Sequence, residues 1–205
     1  CDPGKQYKKL LRQCVVQAQK VIAEDNSLDI IDGCAGLLLV LGRVKKCLTP
    51  KLYNQAADAC VQRLLHCYPD PAQLSDQMSS LSTQPLCGFS HGVAGMVLAL
   101  ASYSGTKAKG QVKRWIKAGL VYERLCFSVS KQDWPDFRTL EGMTKTSSGP
   151  IYMSAWCHGA AGIGLGRIGL CEFINDKKIE GEIRAAINTT IKSFSNQGLL
   201  SLCHG

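Results

Sequence analysis

Apolar residues recur along much of this chain at steps of three and four. Leu11, Val15, Ala18 and Ile22 show the spacing, which lays one continuous stripe along a helix and leaves the other side polar. The same pattern predicts amphipathic helices over residues 7–24, 50–67, 109–128 and 178–194. Between them lie shorter runs that are apolar all round, at 37–41, 96–101 and 163–170, and these predict buried helices. No stretch alternates with period two for long, and Ile and Val are scattered, so the fold class is all-α.

Each apolar run follows a short repeated motif. Asp32-Gly-Cys-Ala-Gly36, His91-Gly-Val-Ala-Gly95 and His158-Gly-Ala-Ala-Gly162 precede the three runs, and the chain stops on a fourth beginning, His204-Gly205. Repetition at this scale signals a stack of equivalent units. An apolar helix opened by Gly-x-Ala-Gly and paired with an amphipathic one is a helical hairpin, so the expected architecture is a double-layer barrel. Its glycines allow close packing at each turn, and φ above zero where that is needed. Such a barrel gathers the inner-helix N-termini, with their unpaired N–H groups, at one end. His91, Cys157, His158, Cys203 and His204 would meet there.

A length of 205 residues, 45% of them apolar, suffices for one domain, and we take residues 1–205 as one. The absence of an initiator Met and the stop on Cys203-His204-Gly205 lead us to expect truncation at both ends. No apolar run reaches membrane-spanning length. Formal charge is +8, but Lys and Arg are spread thinly and lack interleaved aromatics, which argues against nucleic-acid binding. Of the 11 cysteines, Cys34, Cys60, Cys126 and Cys171 lie in apolar helical runs, where Cys behaves as a small buried hydrophobe. Reduced thiols point to a cytoplasmic location.

Cys157 and the Cys203-His204 pair form a soft N/S donor set at equivalent points of two repeats, as a zinc site with three protein ligands and an open position requires. Buried cysteines and a surface histidine are the alternative. His91 takes the matching place in the second repeat and is a candidate proton donor or acceptor. Asp32 is expected to cap the first inner helix, while Asp29, one turn earlier, is free to orient a group or accept a proton. His158 could line the site, make a supporting hydrogen bond or cap its helix, and is not counted as a ligand. The Pro- and Ser-bearing segments 68–84 and 132–150 are expected at the rim of the site.

Taken together, Leu28-Asp-Ile-Ile-Asp-Gly-Cys-Ala-Gly36, Gly88-Phe-Ser-His-Gly-Val-Ala-Gly95, Ala155-Trp-Cys-His-Gly-Ala-Ala-Gly162 and Leu202-Cys-His-Gly205 resemble the lanthionine synthetase C-like family. Trp134-Pro-Asp-Phe-Arg138 and Tyr152-Met-Ser-Ala-Trp-Cys-His-Gly159 look most like the cyclase domain of class II bifunctional synthetases. The stand-alone class I cyclases tend to carry Tyr and Arg where this chain has His158 and Met153.

The resemblance implies an α/α toroid that binds one Zn²⁺ through Cys157, Cys203 and His204. Its activity would be the addition of precursor-peptide cysteine thiols to dehydroalanine or dehydrobutyrine, which closes lanthionine or methyllanthionine rings. His91 would be the catalytic proton carrier and Asp29 its acidic counterpart. The implied partners are a dehydrated precursor peptide, leader plus core, and an N-terminal dehydratase domain in a longer chain. Two other readings stand beside it. One is a zinc-bearing protein that holds glutathione or a protein thiol without making rings. The other is a carbohydrate enzyme, which would need paired carboxylates that only Asp29 and Asp32 approach.

Overall fold

The computed structural model describes residues 3–67, 85–103, 105, 108–138 and 150–194. Helix α1 (Pro3–Val21) continues into a 3-10 turn at Ile22–Glu24. It is followed by α2 (Cys34–Val44) and α3 (Pro50–Cys67). A second hairpin comprises α4 (Val93–Ser102) and α5 (Lys109–Cys126), and a third α6 (Ala160–Leu170) and α7 (Lys177–Phe194).

The expected layers are present. Helices α2, α4 and α6 pack side by side as an inner row, and α3, α5 and α7 each back onto the inner helix of their own hairpin, with α1 against α3. Leu38 and Leu41 of α2, Val97 and Leu100 of α4 and Ile163 and Leu170 of α6 are buried between the rows. The period of 3.6 thus placed the seven α-helices of the described residues. The inner helices begin earlier than their apolar runs, because the small residues of the motif already belong to the first turn.

The repeated glycines have one physical cause. A Cβ on Gly36 would lie 2.1 Å from the Ile30 carbonyl oxygen, one on Gly95 2.1 Å from that of Phe89, and one on Gly162 1.9 Å from that of Trp156. In all three hairpins the first helical turn is pressed onto the carbonyl six residues earlier. Close approach is therefore the general requirement, while positive φ is confined, among these motif glycines, to Gly159 at +79°. Gly42, late in α2, has open space around it. We expect Gly36→Ala to destabilise the chain by about 1–3 kcal/mol through steric overlap. Gly42→Ala should stabilise it by up to about 1 kcal/mol through helix propensity. Paired thermal unfolding curves check both signs.

Two features depart from the sequence reading. Pro135–Asp136 (β1) pairs antiparallel with Ile151–Tyr152 (β2) as a two-residue ribbon, so residues at the start of segment 132–150 join a strand pair. Its first part is no surface connection: Asp133, Trp134 and Asp136 are buried, and the Trp134 indole N–H donates to the Glu123 carbonyl at 2.9 Å. Cys171 is exposed rather than buried, because α6 ends at Leu170 and Cys171 opens the turn beyond it. Cys34, Cys60 and Cys126 are buried thiols as expected. Segment 68–84 lies outside the described residues.

Candidate functional site

The loops that precede α2, α4 and α6 are tied together in series. Ile30 N–H donates to the Ser90 carbonyl at 3.0 Å. Phe89 N–H and Ser90 N–H both donate to the Cys157 carbonyl, at 3.1 and 3.3 Å, and the Ser90 hydroxyl reaches the same oxygen at 3.4 Å. The Phe89 and Trp156 rings meet edge to face, 5.6 Å between centroids. One helix end thus assembles residues from three distant parts of the sequence.

The first loop is folded around two carboxylates. Asp29 Oδ1 accepts N–H bonds from Ile31 and Asp32, both at 2.9 Å, and its Oδ2 lies 2.8 Å from His91 Nδ1. A carboxylate only accepts, so the Nδ1–H of His91 donates to it and Nε2 takes no part in that bond. His91 is 36% exposed and Asp29 10%, so the pair is shielded on one side and open on the other. The expected cap, Asp32, is exposed and caps nothing: Gly33 is the N-cap residue. The Cys34 N–H is satisfied instead by Asp25 Oδ2 at 2.7 Å, reached from nine residues back. Burial opposes ionisation of Asp25, but bonds from the Cys34 thiol and the N–H groups of Leu28, Cys34 and Ser27 outweigh it and hold its carboxyl below the ordinary range.

The third loop carries Cys157 and His158, both buried. His158 stacks on His91, 5.9 Å between ring centroids, and its Nδ1 lies 3.3 Å from the Cys87 carbonyl and 3.8 Å from Asp136 Oδ1. The carbonyl can only accept, so Nδ1 is the protonated nitrogen, and Nε2 remains a buried acceptor without a hydrogen-bond partner among the described residues. Burial pushes the His158 pKa down against the pull of Asp136, which keeps the ring neutral at pH 7. Asp136 is itself clamped by Arg138, whose Nη2 is 2.7 Å from Oδ2.

Two supporting carboxylates escaped the sequence reading. Glu123 of α5 is fully buried, 2.8 Å from Arg167 of α6, and the Gly88 N–H of the loop that presents His91 also favours its charge. Arg167 was the available signal, since a cation inside the apolar Gly-Leu-Gly-Arg-Ile-Gly run demands a buried anion. Asp133 accepts the N–H of Trp134 at 2.7 Å and that of Ala160, and thereby caps α6 directly behind Cys157-His158.

Burial raises the Asp133 pKa to about 6. A raised carboxyl binds its proton more tightly in the folded state, so its contribution favours folding at low pH and is lost as pH rises through about 6. Asp133→Asn keeps the acceptor and removes the charge. It should therefore raise the melting temperature at pH 7.5, with a gain that shrinks toward pH 4.5. Equal gains at both pH values would contradict a buried charge at this position.

The described residues thus bring Asp29, His91, Cys157 and His158 to one end of the barrel. Cys203 and His204 lie outside the described residues, and among those described no three His, Cys, Asp or Glu side chains form a metal-binding group. No helix of the described residues is long and apolar enough to cross a membrane.

A row of helical hairpins thus brings two histidines and a cysteine together at the N-termini of its inner helices. A sequence model described as lanthionine synthetase C-like protein matches residues 3–205, and the chain belongs to that family. Comparison with curated proteins returns no match. The family is a helical toroid associated with lanthionine synthetase-like chemistry and peptide substrates.

Proposed function

We propose that this chain is the zinc-dependent cyclase of a class II lanthipeptide synthetase, acting on a dehydrated precursor peptide. The observation that carries the reading is the Asp29–His91 pair, held at 2.8 Å beside the loop that bears Cys157. Cys157, Cys203 and His204 would hold the metal. Their thiolate and imidazole donors suit zinc, and the set is completed only with the two residues outside the described region. A zinc ion bound there supplies thiolate character to a substrate cysteine at neutral pH.

The chain's own residues manage the proton. Ring closure adds S–H across the C=C bond of a dehydroamino acid. Sulfur bonds to the β-carbon, the π pair moves to the enolate, and one proton arrives at the α-carbon, with no leaving group and no change of oxidation state elsewhere. His91 Nε2 carries that proton, and Asp29 fixes the tautomer and balances the imidazolium when it forms. Burial of Asp29 and His158 walls the pair from bulk water on one side.

His91→Asn should retain zinc and lose about 10²- to 10⁴-fold in rate, the usual worth of a positioned acid–base group. Ring formation in a co-expressed dehydrated precursor, read by protection from thiol alkylation, measures the rate, and metal analysis measures zinc. A variant with wild-type rate would remove His91 from the mechanism. Zinc present in a wild-type protein that forms no rings would favour the thiol-binding alternative.

A further inference from the structure

We propose that a groove along α5, away from the catalytic end, docks an acidic amphipathic helix belonging to the peptide substrate. The groove encloses about 750 Å³ between α5 and the turn joining α6 to α7. Its floor is apolar, with Val112, Ile116 and Leu120 of α5 facing Phe173 and Ile174. Phe173 is 47% exposed and extends this apolar surface toward solvent. Along its edge run Lys109, Lys113 and Lys117, all exposed.

That stripe is costly on its own terms. Like charges at successive i,i+4 positions weaken a helix, and the acidic residue of α5, Glu123, is buried against Arg167 on the inner side. The carboxylate on the groove lining, Asp176, is already held by Arg124 at 2.8 Å and by the Lys178 N–H at 2.9 Å. Among the described residues the three ammonium groups therefore lack a compensating anion on the lining.

Their spacing selects the ligand. Four residues of helix rise about 6 Å, so the stripe spans about 12 Å in two equal steps. A small anion needs donors that converge on a point, whereas a second helix lying alongside presents carboxylates at the same 6 Å repeat when acids stand at every fourth position. Its apolar face would then cover the floor, in the helix-in-groove manner. A flat lipid surface matches the lysines but cannot reach a concave floor.

The groove starts at Leu100–Ala101, the end of α4 remote from His91, roughly 15 Å away along a ten-residue helix. A docked helix would thus be joined to the reacting cysteine by at least about five extended residues. The assignment rests on the peptide-cyclase reading only in naming the docked helix as part of the substrate.

The test is a binding measurement on the full chain and does not depend on ring formation, so either reading can fail without the other. The probe is a fluorescein-labelled 18-residue peptide with Glu at every fourth position and Leu on the adjoining face, followed by anisotropy. We expect saturable binding that Lys113→Glu with Lys117→Glu weakens at least tenfold. Lys8→Glu with Lys9→Glu on α1, an equal change in net charge at exposed positions, should change it less than twofold. Phe173→Ser should weaken it about threefold without altering the rim charge. No binding up to 1 mM, equal binding of a scrambled peptide, or equal loss in both double variants would overturn the proposal. So would capture of phosphatidylserine vesicles through Lys113 and Lys117 without binding of the peptide.

Discussion

Cys157→Ala is expected to strip zinc from the protein and to abolish detectable ring formation. The side chain is 3% exposed, on a loop whose carbonyl is held by two N–H groups and a hydroxyl of the second hairpin. Such a loop cannot shift to bring in a replacement donor, and three-ligand sites tolerate the loss of a thiolate poorly. Cys203→Ala and His204→Ala should behave alike. Metal content after gel filtration, measured together with alkylation of the precursor, checks the assignment. A Cys157→Ala protein with full zinc and normal rings would move the metal elsewhere.

Arg167→Ala should be the most damaging substitution to stability among the charged residues of the inner row. Its guanidinium is 0% exposed, 2.8 Å from Glu123 and 2.5 Å from Glu182. Burial lowers its pKa, but the two carboxylates more than reverse that and hold it charged. Removing it leaves the fully buried Glu123 without a counter-charge, which typically costs about 3–5 kcal/mol. For a chain of this size that corresponds to a melting temperature lower by about 6–20 °C. Because the Gly88 N–H also favours the Glu123 charge, the loss should extend to the loop bearing His91. Cyclisation would then fall even at temperatures where the helices persist. Arg167→Met with Glu123→Gln should recover much of the stability, since it removes both charges at once. A single variant as stable as wild type would show that the pair contributes nothing.

The architecture was legible because two local rules sufficed. The 3.6-residue stripe is strongest in α1, α3, α5 and α7, each of which shows one face to solvent, and the repeated Gly-x-Ala-Gly marks where an inner helix meets a carbonyl. The repeat placed His91 at the shared helix end, and the family resemblance paired it with Asp29, which the structure sets 2.8 Å away. What stayed hidden depends on contacts made at a distance. Asp25 caps α2 from within a loop, where no spacing rule reaches, so the adjacent Asp32 was the natural but wrong choice. Asp136 sits on a ribbon too short to show period two, and Asp133 on a single bridge to Ser128 just before it. Asp133 acquires its role only when it meets the start of α6, at Ala160. Cys171 was misplaced by a single residue of helix end, where pattern is least informative.

The hydrogen bonds that run from Ile30 to Ser90 and from Phe89 and Ser90 to Cys157 give the three hairpins a shared latch. Ile30 amide exchange requires parting of hairpins one and two; exchange at Phe89 and Ser90 requires parting of two and three. Deuterium uptake at these amides therefore times the opening of each seam separately, in the manner of neighbour-coupled repeat units. A fault in the first hairpin would loosen the thiol-bearing loop of the third without touching any residue of it. The end of the row that bears His91 and Cys157 is therefore held in place by contacts from all three hairpins at once.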